Sequence, residues 1–439
     1  MNSFFATVEQ QVHPFLRGKA IGVAGRPGTR SIVAAASIEA KRGGIKTAMS
    51  TAEALALQAD LRLVVGNMTR YRAVSRQVVR IVLRYTPDVE VFSIDECFAD
   101  ITFAVEDARR HGHNPWQAAA DIASAIKQAI RTEVGEYITC SIGIAPNKFL
   151  AKLASDLFKP DGLHLVTPTV MRAAIVRVAA RGPARTRLRI IQQDSLLLAT
   201  PIGEFCGLGP RLQRHLARIG IVTTADLRQA DILLLRRIFG VVGQQLYEYA
   251  WGRDTRPVRR ITDVPPPKSF SHAITLPYSE YRPLAARSYL SGLSEKVAFR
   301  MRQSGMMARR ISCFVRFDTG GGFGGHRTLR MPIHDGRSVF EQADAIFNGW
   351  HTFRPIRLVG VALSLVQPLS EVPAPLLIED QQSERVLAAL DCINSRFGSG
   401  TAVQARTLAT RGLQSEATHA FGCTSKLALT AIDQGPDLG

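Results

Sequence analysis

The sequence predicts a mixed α/β protein built from several domains, and three patterns support this. In residues 1–165, short runs of strand-forming residues alternate with segments of helical periodicity, as in an open sheet backed by helices. Residues 166–256 show mostly helical spacing. After a proline-rich stretch, residues 269–366 alternate strands and helices again, which indicates a second compact α/β module.

The elements of the first region can be followed along the chain. Strands are predicted at AIGVAG, SIVAAAS and ITCSIGIAP, and helices at AEALALQ, YRAVSRQVVRIVLRYT, NPWQAAADIASAIKQAIRTEVG and NKFLAKLASDLFK. Asn114-Pro115 is a start signal for the third of these helices, and Gly135 is its stop signal. Pro160-Asp161-Gly162 ends the fourth helix.

The excess of basic residues indicates what type of molecule the protein binds. Lys and Arg total 55 against 37 Asp and Glu, which makes the net charge +18. Residues 367–439 hold 5 basic and 8 acidic residues, so the basic excess lies in residues 1–366. A basic body of this size favours a polyanion such as nucleic acid, with an ordinary protein of high isoelectric point as the alternative.

Other features argue against membrane, disulfide-rich and zinc-binding classes. No apolar run approaches the roughly 20 residues of a membrane span, and the N-terminus lacks a signal-peptide pattern. The six cysteines are scattered without a Cys-x-x-Cys pair. This usage predicts reduced thiols in a cytoplasmic protein.

Two neighbouring carboxylates, Asp95 and Glu96, stand in the segment FSIDECFADI, whose lead-in is typical of a buried strand. Burying two unpaired carboxylates is costly, and their mutual repulsion adds to the cost, so a cationic group is expected opposite them. Adjacent strand residues point to opposite faces, so convergence of the two requires a turn, which we place before Cys97. A solvated hairpin tip is the alternative.

The segment GLGPRLQRHLARIGIVTTADL predicts a helix-hairpin-helix, with a glycine turn, a helix, a second glycine turn and a capped helix start at Thr224. Backbone N–H groups at such a turn can bind one phosphate, although glycine turns before helices are common. The arginine-rich segment 172–189 is either a solvated face or a phosphate contact.

The proline-rich segment Arg253 to Lys268 predicts an extended linker. The module after it carries six arginines available for phosphates: Arg300, Arg302, Arg309, Arg310, Arg327 and Arg330. From Gln367 onwards we expect a connector, the short amphipathic helix SERVLAALDCINSRFG and a weakly ordered end.

Several of these segments resemble the motifs of one family. SIDECFADIT is similar to the Ser-Ile-Asp-Glu-Ala signature of the Y-family, translesion DNA polymerases, and GIAPNKFLAKLASDLFKPDG resembles its next block. MNSFFATVEQQVHPFLRGKAIGV resembles the opening block, while YAWGRDTRPV and KSFSHAITLP resemble the passage between thumb and little finger. The resemblance covers roughly residues 1–366, with the motifs in the family's order.

The resemblance implies an α/β (α+β) right-hand polymerase with a mixed-sheet palm, small fingers, a helical thumb and an α/β little finger. Its domains are then a palm at 1–5 and 77–165, fingers at 6–76, a thumb at 166–256 with its helix-hairpin-helix near 203–227, a linker at 257–268, a little finger at 269–366 and a C-terminal extension at 367–439.

The resemblance also implies roles for single residues. Asp95 and Glu96 would bind two Mg²⁺ ions together with the backbone carbonyl of Met1. Phe5 matches the aromatic steric gate that excludes ribonucleotides. Phe4 matches a residue under the nucleotide, with core packing as the alternative. Lys159 and Lys41 match positions that contact the nucleotide, and DNA is expected at Gly207, Gly209, Lys268, Arg309, Arg310, Arg327 and Arg330.

Three departures from the family pattern stand out. The family has an Asp directly before the position of Met1, so we expect a start upstream that supplies it. The fingers motif reads Ser37-Ile38-Glu39-Ala40-Lys41, where Ile38 cannot hydrogen-bond a phosphate and Lys41 cannot form the two-pronged contact of arginine. The tail contains no clear clamp-binding peptide; the sliding clamp and SOS-response proteins are candidate partners.

The leading hypothesis is a low-fidelity, template-directed DNA polymerase that uses dNTPs on primer-template DNA, including damaged DNA. The alternative is a Y-family-like DNA-binding or scaffold protein of damage tolerance that has lost catalysis, favoured by the missing Asp and the altered fingers motif. A helix-hairpin-helix nuclease or glycosylase would leave residues 1–165 unexplained.

Overall fold

The computed structural model describes residues 1–26, 30–157, 159–168, 188–263, 265–349, 354–373, 378–398, 401–403 and 405. The described residues form two compact units. The first draws on the described residues within 1–24 and 32–263, and the second on the described residues within 25–31 and 265–405.

The first unit begins with helix α1 (Phe4–Val12) and a small three-stranded sheet. Strand β1 (Ile21–Ala24) lies between β2 (Ala35–Ala36), to which it is antiparallel, and β3 (Arg62–Val65), to which it is parallel. Short helices α2 (Ile38–Arg42) and α3 (Thr51–Leu57) begin at capping serines. The strand that the sequence predicted at SIVAAAS is present as β2, but it contains only two residues.

The centre of the first unit is built from two separate sheets. Its elements are α4 (Met68–Leu83), β4 (Val89–Ser93), β5 (Glu96–Ala99), α5 (Thr102–Arg110), α6 (Pro115–Ala129), β6 (Ile142–Ile144), α7 (Lys148–Asp156), β7 (Leu163–Thr167) and β8 (Leu188–Gln192). Strands β4 and β5 form a hairpin, while β6, β7 and β8 form a parallel sheet. Strand β8 lies in the region that the sequence predicted to be mostly helical.

The long helix α6 follows its predicted signals closely. The side chain of Asn114 accepts hydrogen bonds from the N–H groups of Trp116 and Gln117, and Pro115 occupies the first turn. The helix continues into one π turn, Ile130–Val134, and ends at Gly135. The predicted boundaries of this helix are confirmed.

An apolar cavity of about 220 Å³ lies beneath the β4–β5 turn. Its lining includes residues of β5 and β6 and residues of α4 and α6, such as Val79 and Ile122. Among the described strands, β5 pairs only with β4 and β6 only with β7, so one edge of each is unpaired. Both sheets contribute residues to the lining of the cavity.

The rest of the first unit is helical, as predicted. Its helices are α8 (Gln193–Ala199), α9 (Pro210–Arg218), α10 (Thr224–Gln229), α11 (Ile232–Phe239) and α12 (Val241–Ala250). They pack around a core that includes Phe149, Phe205, Leu216 and Leu235. Helix α10 is capped by Thr223 rather than Thr224. Residues 172–187 of the predicted arginine-rich segment lie outside the described part of the chain.

The predicted linker is irregular but anchored. The backbone N–H of Arg259 donates to Glu90 of β4 at 2.8 Å, and the guanidinium of Arg260 pairs with Asp88, which directly precedes β4, so these two contacts anchor the segment.

The second unit is a four-stranded antiparallel sheet with helices on one face. Its elements are β9 (Ser269–Glu280), α13 (Pro283–Arg302), β10 (Met306–Phe317), β11 (Gly322–Ile333), α14 (Gly336–Asn348), β12 (Ile356–Pro368) and α15 (Ile378–Phe397). The strand order is β11-β10-β12-β9. Helix α15 contains the predicted amphipathic stretch.

Arg302, which the sequence predicted to be available for phosphates, is buried and already paired with carboxylates. Arg302 has a side chain only 7% exposed, and its guanidinium pairs with Asp391 of α15 at 2.7 Å and with Glu295 at 3.2 Å. Its N–H groups also reach the carbonyl of His334 at 2.8 Å. The prediction that Arg302 is available for phosphates is therefore wrong.

Candidate active site

The two carboxylates lie at the tip of the β4–β5 hairpin. Ser93 pairs with Glu96, so Ile94 and Asp95 form a two-residue turn. The turn predicted before Cys97 is confirmed, although Asp95 belongs to the turn and not to a strand. Both carboxylates are half-buried and line the apolar cavity, and the hydroxyl of Ser93 donates to Asp95 at 2.8 Å.

The cation expected opposite the carboxylates is a lysine of α7. The ammonium of Lys152 lies 2.6 Å from Glu96 Oε1 and 3.0 Å from Asp156 Oδ2. Burial is the largest single influence and acts to lower the pKa of Lys152, but the hydrogen bonds and charges of Glu96 and Asp156 together outweigh it, so the pKa is raised above its usual value. Asp156 in turn lies 2.6 Å from the ammonium of Lys159. Two lysines are thus held beside the hairpin tip.

Lys41 of α2 shares this electrostatic environment. Burial and the nearby ammonium of Lys159 lower the pKa of Lys41, and the carboxylate of Asp95 acts in the opposite direction. Lys41 therefore lies close enough to both Lys159 and Asp95 for their charges to affect it. Two like charges held together favour an anion between them.

Met1 lies directly beside the carboxylates. Its amino nitrogen donates to the backbone carbonyl of Asp95 at 2.8 Å. Asp95 and Glu96 offer the oxygen ligands that hard divalent cations prefer, so these residues fit such an ion. In the described residues there is no cluster of three or more His, Cys, Asp or Glu able to hold a metal.

Phe4 and Phe5 occupy the first turn of α1. Phe4 is 4% exposed and lines the cavity, which matches core packing as well as contact with a ligand. The ring of Phe5 stacks on Tyr71 of α4, with centroids 4.3 Å apart and planes 12° from parallel. The hydroxyl of Tyr71 donates to the buried Glu9 at 2.7 Å, and Arg70 pairs with Glu9 at 2.8 Å. The position of Phe5 is therefore rigidly supported.

The predicted helix-hairpin-helix turn is open to solvent. Gly207 has φ 92°, a conformation that favours glycine, and Gly209 precedes α9, whose first turn has no side-chain cap. A Cβ atom at either glycine would meet no atom within 4 Å. Arg211, Arg214 and Arg218 are exposed on α9, so free backbone N–H groups and basic side chains lie together.

The basic residues of the second unit divide between the two faces of its sheet. Arg310 lies in a row with Thr328, Ser364 and Ser269, which is the polar face. Arg327 pairs with the fully buried Ile311, so its side chain starts on the helix-covered face at the edge of the sheet. The structure thus separates two arginines that the sequence placed together.

The other three predicted contacts of this unit are exposed. Lys268 directly precedes β9, Arg330 lies on edge strand β11, and Arg309 lies at an irregularity in β10 where its guanidinium donates to the carbonyl of Leu329 at 3.2 Å.

Comparisons with known proteins place the chain in a family. The impB/mucB/samB family matches residues 1–156, and the C-terminal domain of that family matches residues 267–374. The DNA polymerase IV of Moorella thermoacetica is 35% identical over 419 residues, which cover 94% of this chain and 96% of that protein. The DNA polymerase IV of Alkalilimnicola ehrlichii is 33% identical, covering 83% and 93%. This chain belongs to the Y-family of DNA polymerases.

A solved structure agrees with this assignment at the level of the fold. A Y-family DNA polymerase chimera, Dbh-Dpo4(243-245)-Dbh, superposes with a TM-score of 0.67 at 24% identity over 83% of this chain and 97% of that chain. The right-hand polymerase fold expected from the motifs is confirmed. None of the described helices of this Y-family polymerase is both long and apolar enough to cross a membrane.

Sequence reasoning missed four residues of this polymerase's candidate site: Lys152, Asp156, Tyr71 and Glu9. Lys152 and Asp156 follow Lys148 at intervals of four residues on α7, so their common face was visible in the helical spacing. Tyr71 and Glu9 carried no such signal, because their contact joins residues 62 positions apart.

Proposed function

We propose that this Y-family polymerase extends a primer 3′-hydroxyl with dNTPs by Mg²⁺-dependent nucleotidyl transfer, with low fidelity and on damaged templates. The observation that carries the proposal is that Asp95, Glu96 and Lys159 line one cavity, while Lys41 lies close enough to Lys159 and Asp95 for their charges to shift its pKa. Carboxylates suit the cations of a nucleotidyl-transfer site, and paired ammonium groups suit a triphosphate.

The residues of the chain have distinct tasks in this proposal. Asp95, Glu96 and the carbonyl of Met1 would hold two Mg²⁺ ions. When bound, these ions lower the pKa of the primer 3′-hydroxyl and neutralise the departing pyrophosphate. Lys41 and Lys159 orient the triphosphate of the incoming dNTP. The ring of Phe5, which stacks on Tyr71, borders the sugar of that nucleotide. Lys152 neutralises Glu96 when no other cation does so.

Primer extension on undamaged templates and on templates with a single abasic site tests the proposal directly. We expect Mg²⁺-dependent extension on both, with frequent misinsertion. Template-independent addition, or extension that survives removal of divalent metal by EDTA, would contradict it.

Replacing Phe5 by Ala is expected to admit ribonucleotides. Loss of the ring opens space beside the 2′ carbon of the sugar, whereas dNTP insertion suffers less. Single-nucleotide insertion with dCTP and rCTP measures the ratio of the two efficiencies, and we expect it to fall by at least about tenfold. Phe15→Ala, which removes an exposed ring, is the control. An unchanged ratio in Phe5→Ala would assign Phe5 to core packing alone.

DNA binding is expected to depend steeply on salt and little on sequence. The thumb turn, α9 and the polar face around Arg310 contact phosphates in this proposal, so each contact releases counterions. Fluorescence anisotropy should show a loss of affinity of about tenfold or more between roughly 50 and 200 mM salt. Arg310→Ala should weaken binding and flatten the slope, whereas Arg385→Ala, on exposed α15, should not. A flat salt response would contradict the proposal.

The scaffold alternative predicts DNA binding without extension. The relatives that match both halves of this chain are named polymerases, which favours the enzyme. A cytoplasmic location and clamp or SOS-response partners stay predictions.

A further inference from the structure

Lys127 of α6 is a buried cation that the proposed chemistry does not use. It is 8% exposed, and its ammonium lies within 3.4 Å of four oxygens: the carbonyls of Cys140, Asp161 and Gly162, and Asp161 Oδ1 at 2.6 Å. Burying an ammonium is costly unless its hydrogen bonds are satisfied. Here the oxygens come from two segments that are distant in sequence from Lys127.

The main partner of Lys127 lies in the turn that follows Lys159. Asp161 has φ 58°, which is uncommon for a residue other than glycine. Its second carboxylate oxygen accepts from Arg131 at 2.9 Å. Lys127 and Arg131 are four residues apart, where α6 passes into its π turn, and π turns are frequent at functional sites. Two cations thus hold one turn in an unusual conformation.

The same turn is connected to the start of α1. The N–H of Gly162 donates to the hydroxyl of Ser141 at 3.1 Å, and that hydroxyl donates to the buried Asn2 at 3.1 Å. Asn2 lies two residues before Phe4. Lys127 therefore lies where the lead-in to β6, the turn after Lys159 and the start of the chain meet.

We propose that Lys127 is a positioning residue that sets the place of Lys159, and thereby the affinity of the site for the triphosphate of the incoming nucleotide. The inference rests on the proposed function of Lys159. Lys159 is two residues from Asp161, and it lines the same cavity as Asp95 and Glu96. Loss of the Lys127 contacts frees the turn, so the ammonium of Lys159 no longer stands at a fixed distance from the carboxylates.

The test measures the Kd of dNTP, the maximum rate of single-turnover insertion, the Kd of primer-template DNA and the Tm. Lys127→Met is expected to weaken dNTP binding by about tenfold, with the maximum rate and DNA affinity within about twofold of the parent. Lys127→Arg should restore most of the affinity. The control is Lys19→Met, the same change at an exposed lysine of the same unit, which should change neither Kd.

A double-mutant cycle shows whether Lys127 acts through Lys159. If it does, Lys127→Met in a Lys159→Ala background weakens dNTP binding no further, since the positioned group is gone. Additive effects would overturn the inference, as would a folded Lys127→Met that binds dNTP like the parent.

If Lys127→Met does not fold, Asp161→Asn serves instead, because asparagine tolerates the same backbone conformation. An unchanged dNTP affinity in Asp161→Asn overturns the inference. If Lys159→Ala alone leaves dNTP affinity unchanged, the role proposed for Lys159 fails, and the inference fails with it.

Discussion

Asp95→Asn and Glu96→Gln are each expected to reduce nucleotide insertion by about a thousandfold or more, while DNA binding is retained. Each change keeps the shape of the side chain but removes one of the two negative charges at the hairpin tip, on which cation binding depends in the proposed mechanism. Single-turnover insertion with Mg²⁺ measures the loss, and anisotropy with primer-template DNA measures binding. Affinity for DNA should stay equal or rise, since a charge of the same sign as the phosphates is removed.

The matched control is Asp107→Asn, which removes a carboxylate from exposed α5 in the same unit. It should insert nucleotides at the parental rate. If Asp95→Asn and Glu96→Gln also retain the parental rate, the hairpin tip is not the catalytic centre.

Extending the chain by a short apolar segment that ends in Asp directly before Met1 is expected to raise insertion by about a hundredfold or more. Two carboxylates leave the charge and coordination of a two-ion site incomplete. Met1 lies beside Asp95. Residues of β5 and β6 line the cavity, and each of these strands has one unpaired edge. An apolar strand placed there would pair with both edges, fill the cavity and set its last carboxylate beside Asp95.

The control extension ends in Asn in place of Asp. It should stabilise the fold as much as the Asp version, visible as the same rise in Tm, yet leave insertion at the parental rate. Equal activity of the two extensions would show that the strand matters and the third carboxylate does not. If neither extended chain inserts nucleotides faster than the parent, this prediction is wrong.

Much of the fold could be predicted because the signals are local. The Asn-Pro start and glycine stop of α6, the glycine turn before α9 and the alternation of the second unit each depend on neighbouring residues, whose conformational preferences do not need the rest of the chain. The two-residue strand β2 and the added strand β8 were less predictable, since strand pairing depends on partners that are distant in sequence.

The candidate site was predictable in part for the same reason. Asp95 and Glu96 are adjacent in sequence, so one motif contains both, and the cost of burying them required a cation. Which cation it is depends on how α7 packs: the contact between Lys152 and Glu96 spans 56 residues. The same holds for Tyr71 behind Phe5 and for Lys127 at the turn after Lys159.

The sequence by itself determined the family, the order of the elements and the pair of carboxylates, because these are encoded in contiguous motifs. Only the tertiary structure decided that Asp95 lies in a turn and that the side chain of Arg302 is buried and paired with Asp391. It also decided that the side chains of Arg310 and Arg327 leave opposite faces of one sheet. Strand register and helix packing settle such questions. A change of one residue in register exchanges the two faces of a strand, while the composition of the chain stays the same.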